Sequence, residues 1–246
     1  MSRTVKTMRM EIAGHQVPVK VHRERRRNIR AAVGKDSFIL RIPSRLSPRQ
    51  EEEGLEWFRN WAQKTLQRNA ELVTQFNGRT YRDGEVMQVG KRSYELRLQY
   101  ADRKTHAGRL HDGVIELELS KRQSGPELSK SIRTLLSRIV AQDFLPAITR
   151  RVHELNDRYF QKKIKGVRLK YNHSNWGSCS NSGNINLSTR LLFAPEEVID
   201  YVIIHELAHL QEMNHSPRFW KMVARAMPDY KEKEKWLKEN RDRCDF

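Results

Sequence analysis

Two histidines and a glutamate lie close together near the C-terminus. Residues 205–209 read His-Glu-Leu-Ala-His, the HExxH pattern. On a helix, side chains at positions i and i+4 project from one face, so His205 and His209 can bind one metal ion. Glu206 can reach a water on that ion and accept its proton during attack on a carbonyl group. The pattern therefore predicts a metal-dependent hydrolase with Glu206 as its general base.

A catalytic zinc ion needs a third protein ligand and one open position. His215 can supply that ligand if the chain folds back after His209. Asn214 precedes it and tolerates the left-handed conformation that ends many helices. Glu212 is the alternative, seven residues after His205 on the same face, although a straight helix would carry it past the ion. The predicted cofactor is one zinc ion per chain.

The elements that must position these groups can be predicted from periodicity. The largely apolar run 198–204 predicts a buried helix that begins near Pro195 and carries the histidines. We expect strands at 164–171 and 184–188 before it, and shorter helices from Pro217 and Tyr230 after it. Phe219 and Trp220 would pack so that His215 points inward.

The first half of the chain is predicted to be rich in β-structure. Alternating apolar residues indicate hairpins over residues 1–45 and strands over 80–120. Between them, Ser47, Pro48 and Gln50 form a capping-box pattern for a helix to about Phe76. A long helix should run from a linker at residues 124–126 to about Tyr159, with a kink or split at Pro146.

We therefore predict the α+β class with two parts. Residues 1–125 form a β-rich N-terminal region with one long helix. Residues 126–246 form the catalytic domain.

Composition limits the partners and the compartment. The 246 residues include 47 Lys and Arg against 30 Asp and Glu, a net charge of +17. That excess indicates either an anionic partner, such as a nucleic acid or nucleotide, or a solvated surface. Two cysteines favour a reducing cytoplasm over a disulfide framework. No apolar run is long enough for a membrane span, and no signal peptide is evident.

Weaker signals indicate sites for substrate and nucleic acid. Cations interleaved with aromatic residues, which could stack bases, form a candidate nucleic-acid site, and a solvated face is the alternative. Its members are Lys162, Lys163, Lys165, Arg168 and Lys170. Asn175, Trp176 and Asn186 are candidate substrate contacts, with packing as the alternative for Trp176.

Four segments together resemble the YgjP-like metallopeptidase family, a zincin group distantly related to the SprT and Spartan DNA-repair proteases. The segments are Trp-Gly-Ser-Cys-Ser from residue 176, Gly-Asn-Ile-Asn-Leu from 183, the run 201–210 around the histidines, and Asn-His-Ser-Pro-Arg-Phe-Trp from 214. The match is densest over residues 164–240. Asn175 stands where relatives usually carry a basic residue, so the role of that basic residue is vacant here or belongs to His173.

The resemblance implies zinc held by His205, His209 and His215, with Glu206 as general base. It also implies a zincin-like domain, in which the metal helix lies under a small antiparallel sheet. An edge strand of that sheet, expected at 183–188, would pair with an extended substrate.

The favoured function is that of a zinc metallopeptidase in which Glu206 activates a zinc-bound water, and DNA-associated protein is one candidate substrate. A metal-dependent UTP pyrophosphatase is the first alternative, since the resembled family includes such activities. The second is a non-catalytic nucleic-acid-binding protein with a structural metal. The sequence leaves the oligomeric state open.

Overall fold

A computed structural model describes residues 4–246, so the first three residues of the predicted N-terminal region lie outside the described range. These residues form eleven β-strands and six α-helices, which confirms the predicted α+β class. The strands are Thr4–Ile12 (β1), His15–Glu24 (β2), Arg30–Val33 (β3), Phe38–Pro43 (β4), Val86–Val89 (β5), Arg92–Ala101 (β6), Ala107–His111 (β7), Val114–Ser120 (β8), Gly166–Lys170 (β9), Gly177–Cys179 (β10) and Asn184–Ser188 (β11).

The helices are Pro48–Arg68 (α1), Glu71–Asn77 (α2), Gly125–Tyr159 (α3), Glu196–Ala208 (α4), Pro217–Ala226 (α5) and Tyr230–Glu239 (α6). Two short 3-10 helices cover Thr189–Phe193 and Arg241–Arg243. No helix among residues 4–246 is long and apolar enough to cross a membrane.

The contacts group the chain into two compact units. One unit contains the chain up to Tyr81 together with Gln123–Lys130, and the other contains Arg82–Arg122 and Ser131–Phe246. Strands β5–β8 thus group with the C-terminal elements, whereas the sequence assigned them to the N-terminal region. The division at residue 125 stays a prediction about domains.

The first unit packs two helices on a four-stranded sheet of order β1-β2-β4-β3. The β2/β4 pair is parallel and the other two pairs are antiparallel. Alternation along β4 buries Phe38, Leu40 and Ile42 on one face, as period-2 patterning predicts. The Phe38 ring contacts the rings of Phe58 and Phe76 edge to face, so α1 and α2 share one core with the sheet.

The capping box predicted at Ser47 is present at the start of α1. The Ser47 side chain accepts from the Gln50 backbone N–H, and the Gln50 side chain accepts from the Ser47 backbone N–H. The helix ends at Arg68, however, and a separate helix α2 follows after Asn69. The prediction of one helix to Phe76 was therefore wrong at that break, although Gly78 ends the second helix with a φ of 78°.

The second unit contains two sheets and most of the helices. The β5–β8 sheet has the order β5-β6-β8-β7, and the smaller sheet has the order β10-β11-β9. The predicted linker at 124–126 is the start of α3, and α3 runs through Pro146 as one helix. Of the two predicted outcomes at Pro146, the split does not occur, because a proline removes only one helical hydrogen bond and Val140 and Val152 are fully buried on either side of it. The kink stays a prediction.

Candidate metal centre and substrate cleft

Helix α4 carries the first two histidines at its C-terminal end. Pro195 is its N-cap, His205 lies in its last turn, and His209 is its C-cap. The helix is buried along most of its length because apolar residues occupy seven of the ten positions from Val198 to Leu207. This burial fixes the backbone from which His205 and Glu206 project.

The chain reverses tightly after His209. The backbone N–H groups of Leu210 and Gln211 donate to Leu207 and Ala208, so the helix closes in short turns rather than continuing straight. Asn214 does not take the left-handed conformation that the sequence suggested, since the non-glycine residues with positive φ in the described chain are Ala13, Asp112 and Gln161.

Ser216 begins the next helix and brings His215 back toward α4. Its side chain accepts from the Phe219 N–H at 3.3 Å and caps α5. One ligand nitrogen from each of His205, His209 and His215 lies within 4.8 Å of the others. The Nε2 atoms of His205 and His215 are 3.0 Å apart.

The ring of His209 is oriented by the turn itself. Its Nδ1 lies 3.0 Å from the backbone oxygen of Glu212. Because Nδ1 donates its proton to that carbonyl, Nε2 keeps its lone pair for a metal. The backbone oxygen of Glu212 therefore orients the His209 ring, and the Glu212 side chain is not part of the three-histidine group.

Two aromatic side chains from α5 pack against the histidines. Phe219 is fully buried, and its ring centroid lies 4.6–4.9 Å from those of all three histidines. Trp220 stacks on His215 at 5.7 Å and on Tyr230 at 5.3 Å. The predicted packing of Phe219 and Trp220 behind the histidines thus matches their positions.

The donor set fits a metal such as zinc. Burial lowers the pKa of His205 to about 3, with smaller contributions from His209 and His215, and burial also lowers the pKa of His209. Both rings are therefore neutral near pH 7, which is the form that coordinates a metal. The Nδ1 of His205 is buried and has no hydrogen-bond partner in the described chain. The Nε2 atoms of His205 and His215, which are 3.0 Å apart, can both direct their lone pairs at one cation.

Glu206 is buried next to the histidines. Its side chain is 5% exposed, and burial raises the pKa of its carboxyl group to about 8. A cation held by the histidines would lower that pKa again. A Cβ atom on Gly177 would lie 2.5 Å from Glu206 Oε1 and 2.8 Å from its Cγ. Gly177 is thus the backbone surface against which the carboxylate packs.

The edge of the small sheet beside α4 is formed by β10. Strand β11 pairs with β10 on one side and with β9 on the other, so the predicted edge position of residues 183–188 was wrong. The sheet is also mixed, because β11 and β9 are parallel. Periodicity shows that a strand exists but not which strands flank it.

The hydrogen bonds of β10 leave part of its backbone open. Ser188 N–H donates to Trp176 O at 2.8 Å, and Ser180 N–H donates to Asn184 O at 3.0 Å. In an antiparallel ladder the intervening positions point the other way. The N–H and C=O groups of Gly177 and Cys179 therefore face the open edge.

A cavity of about 300 Å³ opens beside Glu206. Trp176, Tyr201, Val202 and Leu237 contribute its apolar and aromatic wall. Trp176, a predicted substrate contact, lies under the guanidinium group of Arg190, which is 5.2 Å from the ring centroid. Trp176 thus both packs and lines the cavity.

The other two predicted substrate contacts lie away from this cavity. Asn175 is exposed. Asn186 pairs with Ser178, and its amide nitrogen lies 3.4 Å from the Ser178 hydroxyl oxygen. Strand alternation puts this pair on the face opposite to Gly177 and Glu206. Neither Asn175 nor Asn186 lines the cavity beside Glu206, so their role as substrate contacts stays a prediction.

The five predicted nucleic-acid residues separate into two groups. Lys162, Lys163 and Lys165 line a groove that also contains His209. Arg168 and Lys170 lie on one exposed face of β9 and do not line that groove. Two of the aromatic residues that flank these cations have other contacts: Phe160 is buried, and the Tyr171 hydroxyl donates to Asp245 at 2.8 Å.

Two residues of the site were missed by the sequence reasoning. Gly177 was quoted only as part of a motif, and residues 172–183 were predicted as a polar turn, so strand β10 and the close approach of Glu206 to Gly177 were both missed. Arg190 is 2% exposed and its guanidinium group donates to the backbone oxygens of His173, Arg241 and Cys244. No local pattern marks that role.

Comparison with known proteins places the chain in a family. The sequence matches the model of the YgjP-like metallopeptidase domain over residues 27–240. No curated protein matches it.

Two solved structures are similar over part of the chain. The crystal structure of the metallopeptidase zymogen of Pyrococcus abyssi abylysin has 26% identity and a TM-score of 0.35, and the match covers 37% of this chain and 93% of that one. The metallopeptidase zymogen of Methanocaldococcus jannaschii jannalysin has 21% identity and a TM-score of 0.34, with 38% and 95% covered.

The family match spans most of the sequence, including the histidine helix and the small sheet above it. The resemblance seen in the sequence and the expected zincin-like domain are therefore confirmed. The chain therefore belongs to the YgjP-like metallopeptidase family, a membership that implies a metal-dependent hydrolase of peptide bonds.

Proposed function

We propose that this protein is a zinc metallopeptidase in which His205, His209 and His215 hold one zinc ion and Glu206 is the general base. One observation carries the proposal: nitrogens of the three histidines converge within 4.8 Å beside a buried glutamate. Three imidazoles with a carboxylate nearby are the donor set of a catalytic zinc site with one open position.

The open edge of β10 supports binding of an extended peptide. The outward N–H and C=O groups of Gly177 and Cys179 can form a short ladder with a substrate backbone. Such a ladder would hold the peptide along the edge strand nearest to α4. The cavity beside Glu206 would then take an apolar or aromatic side chain of the substrate.

When bound, the zinc ion would supply Lewis acidity that activates water and polarises the scissile carbonyl group. Glu206 would accept a proton from the attacking water and deliver it to the leaving amine. Because its side chain is only 5% exposed, few bulk water molecules can compete for that proton. Gly177 fixes the carboxylate by close contact, so the base needs no reorganisation before the reaction.

Metal analysis combined with one conservative variant tests this proposal. We expect about one zinc ion per wild-type chain and a clear loss in His215→Ala. Glu206→Gln should keep the metal but lose roughly 10²–10⁴-fold in casein cleavage, because general-base catalysis contributes that range. Wild-type protein that takes up no zinc after reconstitution would reject the proposal. Full zinc content in His215→Ala would move the third ligand elsewhere.

The same preparations test the alternatives. Pyrophosphate release from UTP without casein cleavage would favour the nucleotide hydrolase. Zinc binding without either activity, together with DNA binding at low salt, would favour a binding protein with a structural metal. A DNA-associated substrate rests on the net charge of +17 and the SprT resemblance, and a cytoplasmic location rests on the cysteine count.

A further inference from the structure

A basic groove begins at the metal centre. It has a volume of about 620 Å³, and its lining includes His209 and three lysines, Lys162, Lys163 and Lys165. We call it the lysine groove. Leu210 and Met213 add apolar surface next to His209, and the turn at 180–183 contributes polar groups.

The three lysines have no anionic partner within the described chain. All three side chains are exposed, and none takes part in an ion pair among residues 4–246. No aspartate or glutamate lines the groove. Three like charges held together without compensation attract an anion, because such a ligand relieves their mutual repulsion.

The backbone that carries the lysines is held in place. Asn156 is 4% exposed, and its side chain accepts from the Lys162 N–H at 3.1 Å and donates to the Lys162 carbonyl at 2.9 Å. The Lys165 N–H donates to Gly183 O at 2.8 Å. A Cβ on Gly183 would lie 3.1 Å from Lys163 O, so the turn and the lysine segment are in close contact.

We propose that the lysine groove is a specificity subsite that binds aspartate and glutamate side chains of the peptide on one side of the scissile bond. The inference rests on the proposed peptidase function. His209 belongs both to the metal centre and to the groove. A peptide bound at that centre would therefore extend into the groove, where the lysine ammonium groups meet its carboxylates.

The observations favour a peptide over a nucleic acid as the ligand. Single-stranded nucleic acids are bound by cations together with aromatic rings that stack on bases. No phenylalanine, tyrosine or tryptophan lines this groove. The other two cations of the predicted nucleic-acid site, Arg168 and Lys170, lie outside it.

Cleavage of a degenerate peptide library tests the preference directly. Sequencing the products should show aspartate and glutamate enriched on one side of the cleaved bond. Charge reversal in Lys162→Glu/Lys163→Glu/Lys165→Glu should lower kcat/KM for the acidic peptides by about ten-fold or more and enrich lysine and arginine instead. The matched control, Lys104→Glu/Lys121→Glu/Lys231→Glu, makes the same charge change at exposed lysines outside the groove and should keep the acidic preference.

Binding to the inactive enzyme separates this inference from the proposed function. In the Glu206→Gln background, fluorescence anisotropy should show that a labelled glutamate-rich peptide binds at least about ten-fold more tightly than its glutamine-matched counterpart. The advantage should shrink as salt rises. The three groove lysines should be required for it, whereas the control lysines should not.

Three outcomes would overturn the inference. One is cleavage without any acidic preference, which leaves the peptidase intact. Another is equal binding of the glutamate and glutamine peptides. The third is binding of a labelled single-stranded DNA, dependent on the three groove lysines, without binding of the acidic peptide. An enzyme that binds the acidic peptide through these lysines but cleaves nothing would instead reject the proposed peptidase function.

Discussion

The position of the Glu206 side chain depends on Gly177, a neighbour that has no side chain. The carboxylate lies against Gly177, where even a methyl group would overlap Oε1, Cγ and Cδ. Burial by α4 fixes the backbone of Glu206, and Gly177 leaves the space into which its side chain extends. A general base held in this way keeps one geometry relative to the three histidines.

Replacing Gly177 by alanine should therefore impair catalysis more than folding. The new Cβ would displace the Glu206 carboxylate by about 1 Å, and a displacement of that size can reduce kcat/KM roughly 10²-fold. The three atoms nearest to this Cβ all belong to Glu206, so we expect the zinc content to stay at the wild-type level. Casein cleavage and elemental analysis on the same sample provide the two measurements.

Ser178→Ala is the matched control, because Ser178 follows Gly177 but faces the opposite side of the sheet. We expect near wild-type activity for it. If Gly177→Ala were fully active, Glu206 would have room to move, and the close contact would have no catalytic role.

At the scale of elements, the 3-10 helix Thr189–Phe193 holds the C-terminal segment. Arg190 is buried there and donates at 2.7 Å to the carbonyl of Cys244 and also to that of Arg241. Its guanidinium group lies over the ring of Trp176, which lines the cavity beside Glu206. The C-terminal segment and the Trp176 wall of the cavity thus both depend on the Arg190 side chain.

Arg190→Met should lower the free energy of unfolding by about 3 kcal/mol, since it leaves buried carbonyl groups without charged donors. It should also raise KM, because Trp176 loses the group that packs on it. Urea denaturation and casein kinetics would measure the two effects. Arg243→Met removes an exposed arginine of the same segment and should change neither. A stable Arg190→Met variant would show that water replaces the lost donors.

On the scale of the whole molecule, three tyrosines make stability dependent on alkaline pH. Burial raises the pKa of Tyr94, Tyr171 and Tyr201 well above the usual range. Carboxylates add to the effect, since the Tyr94 hydroxyl donates to Asp143 and the Tyr171 hydroxyl donates to Asp245. In each case the native state favours the protonated phenol.

Stability from these tyrosines should be complete below pH about 10, the usual pKa of the unfolded phenol, and should fall as the pH rises further. The slope is roughly 1.4 kcal/mol per pH unit for each tyrosine, because the unfolded state loses a proton that the native state keeps. Urea denaturation between pH about 9 and 12 would measure it. Tyr171→Phe should reduce the slope, whereas Tyr100→Phe, at an exposed position, should not. An unchanged slope in Tyr171→Phe would contradict the assignment.

Several elements could be predicted from the sequence because their causes are local. The capping box at Ser47 requires residues only three positions apart. The placement of His205 and His209 on one side of α4 follows from the helical repeat, and alternation identified the buried face of β4. The break after Arg68 was missed, and the sequence left a kink and a split at Pro146 as alternatives, because packing outweighs local preference at both places.

The sequence by itself therefore determined the local chemistry: two imidazoles one helical turn apart, a carboxylate beside them, and most of the strands and helices. Only the tertiary structure decided which strand forms the open edge, which glycine contacts Glu206, and which three of the five cations line a groove together with His209. The physical reason is that periodicity depends on neighbours along the chain. Strand order, close backbone approach and groove lining depend on residues brought together from distant positions.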